Sequence, residues 1–120
     1  MDINWQTSYI DPENLIAISR GDDNRMIKYL RQFQELIPER IERLQECLVA
    51  EDRKMVRQTL HQMSPQLEFF GVPEVIPPIR RLEYEYETIP LEELKSLVKK
   101  ILVQLDGACE EVKMILNKFE

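Results

Sequence analysis

The sequence predicts an all-α fold: an up-down antiparallel four-helix bundle with a short N-terminal helix in front. Three observations lead there. Apolar residues recur at spacings of three and four along most of the chain, the period of one buried helical face. Only three of the 120 residues are glycine, and Leu, Glu, Lys, Arg and Gln, all good helix formers, are plentiful. The breaks between the periodic stretches are short, which makes consecutive helices antiparallel neighbours. No strand alternation, internal repeat or low-complexity tract interrupts the pattern.

Each element has its own signals. Residues 1–10 read as a lead-in, with Trp5 and Tyr9 as candidates to pack on the bundle. Asp11-Pro12-Glu13 starts a helix, with Asp as the N-cap, Pro in the first position and an acid in the first turn. Gly21 ends it, and Asp22-Asp23 open a long second helix. Its face carries Met26, Ile27, Leu30, Phe33, Leu36, Ile37, Ile41, Leu44 and Leu48, and Pro38 either kinks it or divides it. Glu51-Asp52 mark the next turn, and a third helix runs to about Phe70 before Gly71-Val72-Pro73 break the chain. Pro77-Pro78 fit a fourth helix, about Ile76 to Glu87, only in its first turn. Thr88 to Glu93 start the last helix, whose apolar face reaches Leu116, and Gly107 within it suits a close helix contact. Residues 1–120 read as one domain, with the bundle over about 22–118. Leu30, Leu44, Leu60, Met63, Leu67, Leu82, Leu97, Ile101 and Leu105 are expected inside.

Composition excludes several functions. The net charge of −6 argues against a nucleic-acid surface, which needs a basic face. Cys47 and Cys109 form no ligand cluster and read as reduced core residues of a cytoplasmic protein. The first thirty residues show no secretory leader, and no apolar run approaches the ~18 residues a membrane helix needs. No metal site is expected.

His61, the only histidine, is the residue that carries chemistry. Val56, Leu60, Met63, Leu67 and Phe70 define the buried face of its helix, and His61 lies roughly 140° from the mean direction of that face. The imidazole therefore stands in solvent, where a partner can reach a nucleophilic nitrogen. An unperturbed imidazole titrates near about 6.5, so much of it is neutral and nucleophilic near pH 7. Lys54, Arg57 and Glu68, at seven and four residues before and seven after, share its ridge.

The residues around His61 resemble the histidine-containing phosphotransfer (Hpt) family. Leu60, His61, Met63 and Gly71 fall on the family's histidine motif, and Leu82-Glu83 on its Leu-Glu pair in the following helix. Phe33, Pro38, Ile41, Leu44 and Asp52 match its upstream spacing, so the resemblance spans about residues 14–116. It implies a phosphorelay intermediate: His61 accepts a phosphoryl group from the phospho-aspartate of a receiver domain and passes it to another receiver aspartate. It also implies response-regulator receivers and a hybrid histidine kinase as partners, a monomer, and no cofactor of its own. Mg²⁺ would come with the receiver, which supplies most of the positioning. Such a chain is a phosphocarrier rather than an enzyme, and no convergent catalytic set is visible.

Two positions depart from the family. Its lysine three residues after the histidine is Ser64 here, and its glycine four after is Pro65. In the family the lysine steadies the phosphoryl group. Ser64 offers a hydroxyl without charge, and Pro65 deprives the His61 carbonyl of its intrahelical donor. The phosphate or partner surface is expected to comprise Arg57, Ser64, Lys54, Gln58, Pro65 and Glu68, with Arg57 the first substitute cation. The missing lysine also supports an alternative, a phosphate-free helical module that docks a receiver or kinase.

Overall fold

The computed structural model describes residues 7–119. Helix α1 spans Pro12–Ser19, α2 Asp23–Val49, α3 Arg53–Phe70, α4 Ile76–Glu85 and α5 Leu91–Phe119, with a 3₁₀ turn over Pro73–Val75 leading into α4. No strand occurs among the described residues. α2 packs on both α3 and α5, and α4 closes the bundle between α3 and α5, with α1 laid across α2 and α3. The molecule measures 47 × 21 × 20 Å, its long axis set by α2 and α5.

Local chemistry fixes the helix ends. Asp11, Asp22 and Asp52 cap α1, α2 and α3, their carboxylates accepting from the N–H groups of Glu13 (3.0 Å), Arg25 (3.2 Å) and Met55 (3.1 Å). α1 ends one residue earlier than Gly21 implies, because Arg20 takes the left-handed cap (φ 54°) and Gly21 follows with φ 72°. Gly71 ends α3 at φ 73°. A Cβ there would stand 2.9 Å from the Asp11 Cβ, so this glycine also lets α1 approach the end of α3. The Asp11 N–H donates to the Gly71 carbonyl at 2.7 Å, and the Asn14 amide donates to the Phe69 carbonyl.

Neither internal proline divides its helix: α2 runs through Pro38 and α3 through Pro65. Both prolines are exposed, and so are Gln34 and His61 four residues before them. Water can therefore take the carbonyls that have lost a donor.

The core follows the sequence pattern closely. Leu30, Leu44, Leu60, Met63, Leu67, Leu82, Ile101 and Leu105 are all fully buried. The Phe33 and Phe70 rings meet at 4.7 Å between α2 and α3. Met26 and Met63 are fully buried, and Met55 packs against the core from a half-buried position.

Three expectations are corrected, and one buried acid is added. Leu97 is half-buried, not core, because α4 is short and its initial prolines cover this part of α5 loosely; Leu97 lines an open groove with Pro77, Pro78 and Val103. α4 stops at Glu85, before Glu87. Gly107 admits the ring of Tyr9 rather than another helix, since a Cβ there would collide with that ring. Glu111, which the sequence did not single out, is buried at 8% exposure. Its carboxylate accepts from the N–H groups of Ser8 (2.5 Å), Tyr9 (2.9 Å) and Ile10 (3.0 Å). Those bonds satisfy the buried charge and strap the lead-in to α5. Trp5 lies outside the described residues.

Cys47 and Cys109 are both free thiols. Burial, with Asp106 and Glu110 adding to it, pushes the Cys109 thiol up to about 11. Among the described residues no helix is long and apolar enough to cross a membrane. No group of three or more His, Cys, Asp or Glu among them is placed to hold a metal ion.

Candidate functional site

The site grows out of the rotation of α3. Val56, Leu60, Met63, Leu67 and Phe70 turn inward, and Thr59 joins them because its hydroxyl donates to the Met55 carbonyl at 2.8 Å. His61 is thereby left on the outer ridge with its side chain 64% exposed.

The neighbouring helix supplies its partner. Ile79 and Leu82 anchor α4 in the core, and Glu83, next to Leu82, projects along the boundary with α3. Its Oε1 stands 3.6 Å from His61 Nδ1, with the glutamate side chain only 23% exposed. This is ion-pair range, longer than a hydrogen bond. A carboxylate facing Nδ1 favours the proton on that nitrogen and leaves the Nε2 lone pair toward solvent.

The expected phosphate-binding residues are distributed around it. Arg57, one turn before His61, is half-buried with its guanidinium 5.5 Å from the centre of the Tyr86 ring, a cation–π distance. Its Nε is buried without a hydrogen-bond partner. Tyr86 is held in place by Arg53, whose Nη1 donates to the Tyr86 carbonyl at 3.1 Å and to the Ile89 carbonyl. Lys54 and Gln58 are exposed, Ser64 is half-buried, and Pro65 is exposed beside a shallow groove lined by Tyr29, Gln32, Gln66 and Phe69. Phe69 rests edge-on against Tyr29 at 5.0 Å. Glu68, placed on the phosphate or partner surface by the sequence, is ion-paired with Arg80 of α4.

Glu83, Tyr86 and Arg80 were not singled out as site residues from the sequence, although Glu83 belongs to the Leu-Glu pair. The phase of α4 held a signal for two of them. Glu83 and Tyr86 lie four and seven residues after buried Ile79, at the edge of its apolar face. Arg80 carried no such signal, since only the pairing of α3 with α4 brings it to the ridge.

Two solved structures of histidine-containing phosphotransfer proteins share this helical architecture. One is the Hpt domain of an Hpt sensor hybrid histidine kinase from Shewanella, with a TM-score of 0.79, 20% identity, and 91% of this chain and 94% of that one covered. The other is histidine-containing phosphotransfer protein B (HptB) from Pseudomonas aeruginosa PAO1, with a TM-score of 0.81, 16% identity, and 96% and 100% covered. No family model and no curated protein matches the chain.

Proposed function

We propose that this chain is a phosphocarrier that takes a phosphoryl group on His61 from the phospho-aspartate of a receiver domain and returns it to another receiver aspartate. The observation that carries the reading is His61 itself, exposed on the α3 ridge with Nδ1 against Glu83. Nε2 attacks phosphorus, the P–Nε2 bond forms, and the P–O bond to the receiver aspartate breaks, leaving a carboxylate. The proton stays on Nδ1, where the Glu83 carboxylate balances the positive charge that develops on the ring. The reverse step restores the neutral imidazole. Mg²⁺ and the remaining positioning come with the receiver, because phosphoryl transfer is governed by placement and charge neutralisation. The partners are receiver domains and a hybrid histidine kinase, and the protein acts as a cytoplasmic monomer without its own catalytic machinery. The test is transfer from a phosphorylated receiver, read as acid-labile label on this chain.

Glu83→Ala should slow acceptance of the phosphoryl group about fivefold, the effect of losing an exposed ion pair of about 1 kcal/mol in the transition state. Single-turnover transfer kinetics measure it, and an unchanged rate removes Glu83 from the mechanism.

Arg57 is the nearer of the two ridge cations on the N-terminal side of His61, and its guanidinium can offer paired donors to phosphate oxygens. Arg57→Ala should shorten the lifetime of phospho-His61, or slow transfer, more than Lys54→Ala does. Ser64→Lys should lengthen that lifetime. Decay of the phosphohistidine at matched ionic strength separates the three variants, and wild-type behaviour of Arg57→Ala together with no effect of Ser64→Lys would contradict the compensation.

Ser64 and Pro65 favour one other reading, a helical module that docks a receiver or kinase without transfer. Receiver binding without labelling would select it.

A further inference from the structure

We infer that Arg80 of α4 is a phosphoryl-holding residue, standing in from the opposite helix for the cation that position 64 lacks, and that Glu68 keeps it in reserve. The inference rests on the phosphocarrier reading and adds a residue to its site.

The register between α3 and α4 carries it. Two contacts fix that register: Arg57 lies over Tyr86, and His61 faces Glu83. Four residues forward on α3 thus match three residues back on α4, as expected for an antiparallel pair. The next step in the series sets Ser64–Pro65 against Ile79 and Arg80. Ile79 is buried and Arg80 is exposed, so Arg80 is the member of that level that reaches the ridge. It starts beside the serine that replaces a lysine.

Its present partner lies one step too far along. Arg80 is ion-paired with Glu68, four residues beyond Ser64, whereas His61 is three residues before it. At about 1.5 Å of rise per residue, Glu68 is about 6 Å along α3 from the level of Ser64, and His61 about 4.5 Å in the other direction. Glu68 and His61 lie within about 20° of the same ridge. The Arg80 side chain is 61% exposed, so its guanidinium is free to change partner across this short span. A phosphoryl group carries about −1.5 to −2 charge and three acceptor oxygens, against the single charge of Glu68. Phosphorylation of His61 would therefore draw Arg80 from Glu68 to a stronger, bidentate acceptor.

The contact would lengthen the life of the phosphohistidine. In hydrolysis water attacks phosphorus, the P–N bond breaks, and the imidazole and inorganic phosphate share out the protons. The transition state is loose and metaphosphate-like, so its phosphoryl oxygens hold less charge than the bound dianion. A guanidinium on those oxygens then stabilises the phosphorylated protein more than the transition state for its loss.

The test uses phosphoramidate as donor, which needs no receiver: P–Nε2 forms, the donor P–N bond breaks, and ammonia leaves. Decay of phospho-His61 is followed in the wild type, Arg80→Ala, Glu68→Gln, the double variant, and Arg80→Ala with Ser64→Lys. Arg80→Ala should shorten the half-life about fivefold, equivalent to about 1 kcal/mol. Glu68→Gln should lengthen it about twofold, and only when Arg80 is present. Ser64→Lys should restore the half-life of Arg80→Ala, which a merely structural effect would not allow. Equal decay of Arg80→Ala and wild type, or a Glu68→Gln effect that persists without Arg80, overturns the inference. Those outcomes leave the carrier function standing, whereas failure of any receiver to phosphorylate a chain that phosphoramidate does phosphorylate overturns the carrier function.

Discussion

His61→Gln should abolish phosphoryl acceptance while leaving the bundle folded. The chain has one histidine, and no other nucleophile shares its setting. Cys109, the less buried of the two thiols, is held protonated by its surroundings, with a pKa of about 11. Ser64 is beside the site but has no base to activate it. The loss should therefore be complete rather than graded. The fold should survive because the His61 side chain is 64% exposed and its close polar contact among the described residues is the 3.6 Å approach of Glu83, and solvent-accessible pairs of this kind contribute about 1 kcal/mol or less. Far-UV circular dichroism and the unfolding midpoint should match the wild type within error. Residual labelling in this variant would move the acceptor elsewhere, and loss of helicity would show that α3 is rotated differently.

Leu60→Ala should produce the opposite pattern, a large loss of stability one residue away. Leu60 is fully buried among the residues that join α3 to the rest of the core. Truncating such a leucine costs about 2–5 kcal/mol, the lost transfer energy plus the cavity left behind. In a domain of this size that lowers the melting temperature by roughly 8–20 °C. Chemical denaturation of the two variants side by side is the check. A near-zero cost for Leu60→Ala, or a large one for His61→Gln, would reverse the inward and outward faces of α3.

Those two neighbours show how much of the molecule was legible in the sequence. Period and capping chemistry located α1, α2, α3 and α5, because Asp11, Asp22 and Asp52 stand where an N-cap must be and the apolar spacing is regular between them. The exposure of His61 followed from the same phase. Leu97 was misplaced because periodicity reports which residues face a neighbour, while the neighbour's length decides whether they are covered. Pro38 and Pro65 could be read as breaks or kinks from sequence alone; only their exposed setting shows how the helices continue through them.

The acids were the least legible residues. Glu111 falls in phase with buried Ala108, Val112 and Ile115, a position where a carboxylate is tolerated only with its oxygens satisfied. Its donors are backbone N–H groups of the lead-in, which no side-chain pattern reveals. Glu83 bordered the apolar face of α4, but its role depends on the imidazole that it meets on another helix. Arg80 and Glu68 belong to different helices and acquire meaning together. Pairings between helices depend on register, and register is set by packing rather than by the local code.

The most direct test is the location of the phosphoryl group after transfer from a protein donor. The intact chain is incubated with a phosphorylated receiver and Mg²⁺, then quenched in base, and the modified residue is mapped by mass spectrometry. The expected result is one phosphoryl group, on His61, lost on brief acid treatment and regenerated on a fresh receiver in the reverse reaction. Stable binding of phosphorylated receivers with no label on His61 would contradict it and identify the chain as a docking module.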